Sequence, residues 1–117
     1  NEVNSDGRTY VAYLFASLTG VSKIGRVDHS GSSTDVDCGF SSGSRFVMLK
    51  RTDSDQGTAD WYIWDSVRGI ASGNDPYLFF NTTGAQVTNT DLIDPLSSGF
   101  QISGDMSDGT YLFYAIA

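Results

Sequence analysis

Turn-forming clusters cut this chain into short, aromatic-rich or β-branched segments. Breaks fall at Asn4-Ser5-Asp6-Gly7, Ser30-Gly31-Ser32-Ser33, Ser41-Ser42-Gly43-Ser44, Asp53–Gly57 and Ala71–Pro76. What remains is a series of short stretches rich in aromatic and β-branched residues. Ser, Thr and Gly make up 39 of the 117 residues, and thirteen of the fourteen acidic side chains are Asp. Asp accepts local backbone hydrogen bonds and so serves turns, whereas the straight-chain helix formers are scarce. The balance predicts an all-β domain.

Strands are expected at Thr9–Ser17, Ser22–His29, Val36–Phe40, Arg45–Thr52, Ala59–Ser66, Tyr77–Asn81, Phe100–Ser103 and Thr110–Ala117. Ala85–Thr88 offers a further short one, and Asp91–Leu96 reads as a single helical turn ended by Pro95. Arg45–Thr52 and Ala59–Ser66 form an antiparallel hairpin. Within it, Val47 and Leu49 share one face, as do Tyr62 and Trp64, while Trp61, Ile63 and Asp65 share the other. Seven to nine short strands suit an antiparallel β-sandwich, jelly-roll or concanavalin-like, spanning residues 1–117 as one domain. Tyr10–Ala16 and Tyr111–Ala117 are continuously apolar and read as central or doubly covered strands.

The two ends repeat each other. Ser5-Asp6-Gly7-Arg8-Thr9-Tyr10-Val11-Ala12-Tyr13-Leu14-Phe15-Ala16 matches Ser107–Ala117 with Arg8 as the one insertion. Such a repeat casts residues 1–17 as the closing strand of a preceding unit in a longer, tandem protein.

In their order, the motifs Tyr10–Ala16 (YVAYLFA), Val21–Gly25 (VSKIG), Phe46–Ser54 (FVMLKRTDS), Trp61–Gly69 (WYIWDSVRG), Tyr77–Thr83 (YLFFNTT), Ser98–Phe100 (SGF) and Gly109–Ala117 (GTYLFYAIA) resemble a family of phage structural proteins, tail-fibre-like or otherwise virion-associated. The resemblance covers nearly the whole chain. It implies a concanavalin-type sandwich, often in tandem beside a lectin-like or laminin-G-like unit, on the surface of a virus particle. It brings no catalytic residues. It also implies self-association, as a trimer in fibres, and contact with other virion proteins.

Charge and cysteine usage narrow the classes further. A formal net charge of −7 opposes binding to nucleic acid or an anionic membrane surface. No apolar run approaches the ~20 residues that span a bilayer. The single Cys38 excludes an intramolecular disulfide and a multi-cysteine metal site.

The residues themselves bear on four chemistries. His29 and Cys38 as base and nucleophile fit poorly, because Asp37 beside Cys38 raises a thiol pKa; an exposed histidine and a partly buried cysteine explain both. Glycosidase chemistry needs a carboxylic acid against an apolar wall, and Asp65, beside Trp64, is better placed to pair with Arg51 or Arg68. Calcium finds alternating carboxylates at Asp53, Asp55 and Asp60, although the bidentate Glu of an EF-hand loop is missing. Carbohydrate recognition needs aromatic faces and planar polar groups. Trp61, Tyr62, Trp64 and Tyr77 supply the faces, and Asp65, Arg68, Asn74, Asp75 and Asn81 the polar groups; since the strand has two sides, at least one Trp is core.

Trp64, Asp65, Arg68 and Asn81 are therefore the expected sugar contacts, with calcium at Asp53, Asp55 and Asp60 as the one possible cofactor. The expected function is a non-enzymatic virion module for assembly and attachment to a host-surface glycan. Its alternatives are a ligand-free capsid decoration or packing module and, behind it, a polysaccharide-processing enzyme.

Overall fold

Alternation along the third strand decides the core. In the computed structural model, which describes residues 6–53 and 60–117, Val47 and Leu49 are fully buried, and Phe46, Met48 and Lys50 point to the opposite face. Eight strands carry the fold: β1 (Ser22–His29), β2 (Thr34–Asp37), β3 (Phe46–Arg51), β4 (Trp61–Asp65), β5 (Leu78–Phe79), β6 (Ile93–Leu96), β7 (Gly99–Ile102) and β8 (Gly109–Ile116). They form a five-stranded sheet in the order β1-β8-β3-β4-β5 and a three-stranded sheet in the order β2-β7-β6, antiparallel throughout. The chain is an all-β sandwich.

Register explains which side chains meet. Val47 lies opposite Trp64 on β4 and Ala115 on β8, and Leu49 lies opposite Tyr62 and Phe113. This inner face closes on Val36, Ile93, Phe100 and Ile102 of the smaller sheet, with the Phe100 and Phe113 rings edge to face at 5.7 Å between the sheets. Fully burying such side chains contributes roughly 1.5–3 kcal/mol each. Gly99 is required where β7 passes β2, because the Val36 carbonyl oxygen occupies the place of a Cβ.

Three expectations are corrected. Asp91–Leu96 contains strand β6 and no helical turn: Ile93 and Ile102 pair as neighbours, and the Ser97-Ser98 turn brings β7 back alongside. Residues 85–88 contribute an isolated bridge, Tyr77 to Val87, and no strand. The largest departure is Thr9–Ser17, which is exposed and carries no strand. Leu18 does bridge Ser22, exchanging two backbone hydrogen bonds of 2.9 Å, as a hairpin onto β1 requires. The next bonded rung would join Ala16 and Ile24. Instead the Ser17 hydroxyl accepts from the Ile24 amide at 3.0 Å, and the Ser22 hydroxyl donates to the Ala16 carbonyl at 2.9 Å. Two serines thus take the groups that would extend the hairpin, and the backbone turns away. Its twin behaves as expected: β8 is central, between β1 and β3.

The strand edges are short or guarded. β5 has two residues, β2 and β6 four each, and Pro95 removes an amide from β6. On β1, Arg26 and Asp28 pair at 2.8 Å beyond the Leu18 bridge. Charge is divided as well: none of the seven Lys and Arg residues follows Arg68.

Candidate functional site

The outer face of the five-stranded sheet follows from the same registers. Ile24 on β1 faces Tyr114 on β8, which faces Met48 on β3, which faces Ile63 on β4. A row beside it runs Arg26, Leu112, Lys50, Trp61. These two rows are apolar apart from Arg26 and Lys50, with Asp28 and Asp65 in the flanking rows, and Lys50 Nζ sits 5.7 Å from the centre of the Trp61 ring. Across it lies the N-terminal segment, with the Phe15 ring 4.6 Å from that of Tyr114 and tilted by 31°. Tyr13 and Phe15 wall a groove of about 230 Å³ floored by Met48, Leu112 and Tyr114. The segment covers the sheet only in part: Val11 and Leu14 remain 79% and 89% exposed. Tyr13, at 81%, is exposed with them, so the segment presents an apolar band to solvent.

The residues expected to contact sugar do not converge. Trp64 is fully buried and belongs to the core, its ring stacked on Tyr62 at 5.5 Å and 8° and tilted against Tyr77 at 5.5 Å. It offers no face to a ligand, so the expectation of stacking there is corrected. The reason is the strand's own alternation, which turns Tyr62 and Trp64 inward once Val47 and Leu49 do so. Asp65 and Arg68 lock the turn after β4. Asp65 Oδ1 accepts from the amides of Val67 and Arg68 at 3.0 and 2.9 Å, and its Oδ2 pairs with Arg68 Nη1. Arg68 Nε also donates to Gln86 Oε1 at 3.2 Å. Asn81 sits at the other end of β4, accepting from the Trp61 amide and donating to Asp60, both at 2.9 Å. Four residue steps along a strand set those two groups ~13 Å apart. Trp61 itself is 37% exposed, with its backbone amide held by Asn81.

Of the expected calcium ligands, Asp55 lies outside the described residues. Asp53 is held by Arg51 at 2.7 Å, which keeps its carboxyl below the usual range, and Asp60 is engaged by Asn81. His29 is buried, contrary to its expected exposure: Nε2 donates to the Met106 carbonyl at 3.1 Å, and Nδ1 meets the Thr34 hydroxyl at 2.9 Å. A histidine so placed ties β1 to the loop before β8. Burial pushes the Cys38 thiol up to about 11, so it is inert as a nucleophile.

Comparison with known proteins adds one family. The domain of unknown function DUF7483 matches residues 1–117. The chain belongs to that family. No curated protein and no solved structure matches it.

One group in this DUF7483 domain escaped the sequence reading. Asp75, expected among exposed polar groups, is fully buried, and burial raises its carboxyl to about 6. A buried acid of this kind matches the electrostatics of a catalytic one, but it is sealed from any polymeric substrate. The available signal was its setting between Asn74 and Pro76 in a half of the chain without a single Lys, Arg or His.

Proposed function

We propose that this DUF7483 domain is a non-enzymatic structural module of a phage particle, displayed on a tail fibre or related appendage, which assembles with copies of itself through the outer face of its larger sheet. The observation that carries the reading is the apolar band formed by Val11, Tyr13, Leu14 and Phe15 over a face already lined by Ile24, Leu112 and Trp61. Surfaces of that kind are rare on monomers and common at interfaces. The ordered resemblance to phage structural chains supplies the setting, and a trimer is the assembly it implies. Host-glycan attachment, in this reading, falls to the Trp61 ring with Asn81 and Asp60 around it.

A second reading, a packing or decoration module without a ligand, gains from the burial of Trp64, which withdraws one of the two tryptophan faces.

Native mass spectrometry and light scattering test the assembly. Self-association is expected, weakened by Leu14→Asp and Leu112→Asp; a strict monomer at high concentration overturns it. A glycan array then separates the two readings. Binding lost in Trp61→Ala supports attachment, and an array blank for the folded wild type leaves the packing module.

A further inference from the structure

Lys23 is a cation in a core row. Residues paired directly across antiparallel strands share a face, and the row that runs Trp64, Val47, Ala115 ends at Lys23 on β1. The first three side chains are fully buried. Lys23 is exposed, because β1 borders the larger sheet, but its place in the row turns it toward the gap between the sheets. Across that gap, β2 borders the smaller sheet and ends at Asp37.

The gap holds a cavity of about 370 Å³ at the edge of the sandwich. That size falls within the ~300–1,000 Å³ usual for small-ligand sites. Lys23 stands on one wall and Asp37 on the other, with the buried Cys38 under the electrostatic influence of both. Ser17 and Thr19, beside the turn that leads into β1, complete the rim. Among the described residues the ion pairs are Arg26–Asp28, Arg51–Asp53 and Arg68–Asp65, so Lys23 and Asp37 pair neither with each other nor with a third charge. Asp37 Oδ1 accepts from the Gly39 amide at 2.8 Å. Ser17 Oγ accepts from the Ile24 amide and keeps its own hydrogen to donate.

We infer that this cavity binds a small zwitterion, its carboxylate on Lys23 and its ammonium on Asp37, as a free amino acid would present them. Opposite charges that line one cavity from two sheets without meeting are complementary to a ligand that carries both. A ligand of one sign would satisfy one wall and be repelled by the other. The Ser17 and Thr19 hydroxyls add donors for the carboxylate. Cys38, whose thiol is raised to about 11, brings no third charge at neutral pH. A lysine turned inward at a strand border also discourages strand addition, yet that role calls for neither the cavity nor a carboxylate across it. The cavity shares no residue with the groove on the outer face, and the inference does not depend on the proposed assembly.

Titration of the isotope-labelled full chain with glycine, β-alanine, γ-aminobutyrate and ε-aminocaproate, followed through amide chemical shifts, tests the inference. The series spans a range of charge separations, and at least one member is expected to give saturable shifts at Thr19, Lys23 and Gly39. Butyrate and butylamine, with one charge each, are expected to bind about threefold more weakly or worse. Lys23→Gln and Asp37→Asn should each weaken zwitterion binding by a similar factor. Both side chains are exposed, and the amide oxygen of an asparagine can still accept from Gly39, so the variants should fold. Trp61→Ala should leave binding unchanged, which separates this cavity from glycan attachment. No saturable shift with any of the four amino acids overturns the site. Equal binding of a singly charged analogue overturns it, as does full affinity in either charge variant. Loss of binding in Trp61→Ala overturns it too, by placing the ligand on the outer face.

Discussion

Phe113 covers Gly25. The two residues are opposite each other on β8 and β1, and a Cβ on Gly25 would stand 2.6 Å from the edge of the phenyl ring. A glycine in a strand costs conformational entropy and leaves backbone bare, and an aromatic neighbour laid over it restores the cover. The same ring meets Phe100 of the other sheet, so displacing it disturbs the joint between sheets. Gly25→Ala is expected to cost about 1–3 kcal/mol in denaturant unfolding. Adding Phe113→Leu should cost less than the two single changes summed, because the clash is then absent.

Trp64→Ala and Trp61→Ala are expected to part company. The first empties a fully buried site against Tyr62 and Tyr77 and should cost about 3–5 kcal/mol. The second trims a half-exposed ring on the outer face and should cost under about 1 kcal/mol. Parallel urea titrations read both.

Removing residues 1–17 is expected to leave the sandwich folded, with its melting temperature little changed. None of residues 6–17 belongs to a strand of either sheet, and the Leu18–Ser22 bridge stays in place. Under the proposed assembly, the loss should appear in self-association through the band containing Leu14 and Phe15. A truncated chain that fails to fold would return the segment to the role of a structural strand.

Much of this was legible beforehand. The β3–β4 hairpin announced itself because two strand-forming runs flank one turn-rich loop there, side-chain faces followed from the period of two, and β1 was the fainter signal. The N-terminal segment misled for a physical reason. Its residues are strand formers like those of β8, but Ser17 and Ser22 divert the two backbone groups that pairing needs, and propensity cannot register that diversion. Pro95 misled in the same way: it ends helices, yet an edge strand tolerates it. The site failed for another cause. Asp65, Arg68 and Asn81 are near in sequence or composition to what a sugar needs, but β4 separates them end from end. Asp75 was invisible because burial is a property of the whole fold.

Stability should fall as pH rises through the mildly acid range. Burial raises Asp75 to about 6 and also raises Asp91, so above about pH 4 the folded chain holds protons that the unfolded chain has released. Unfolding then releases protons, and the slope is negative until the folded groups titrate, near pH 6 for Asp75. Asp28 and Asp53 act oppositely: partners lower both, and their contribution is lost at more acid pH. Melts across pH should therefore peak at about pH 4–5, and Asp75→Asn should flatten the descent toward neutrality.

Cys38 is expected to resist alkylation in the folded chain at pH 8. Its thiol is buried and raised to about 11, so thiolate is scarce and hard to reach. Mass spectrometry should find labelling only after denaturant is added.

Pro95, the two-residue β5 and the Arg26–Asp28 pair have a joint consequence for a chain this rich in β-forming, aromatic sequence. Each denies an incoming strand the continuous ladder on which cross-β growth depends. At high local concentration, such borders keep the sheets of separate copies from fusing into one.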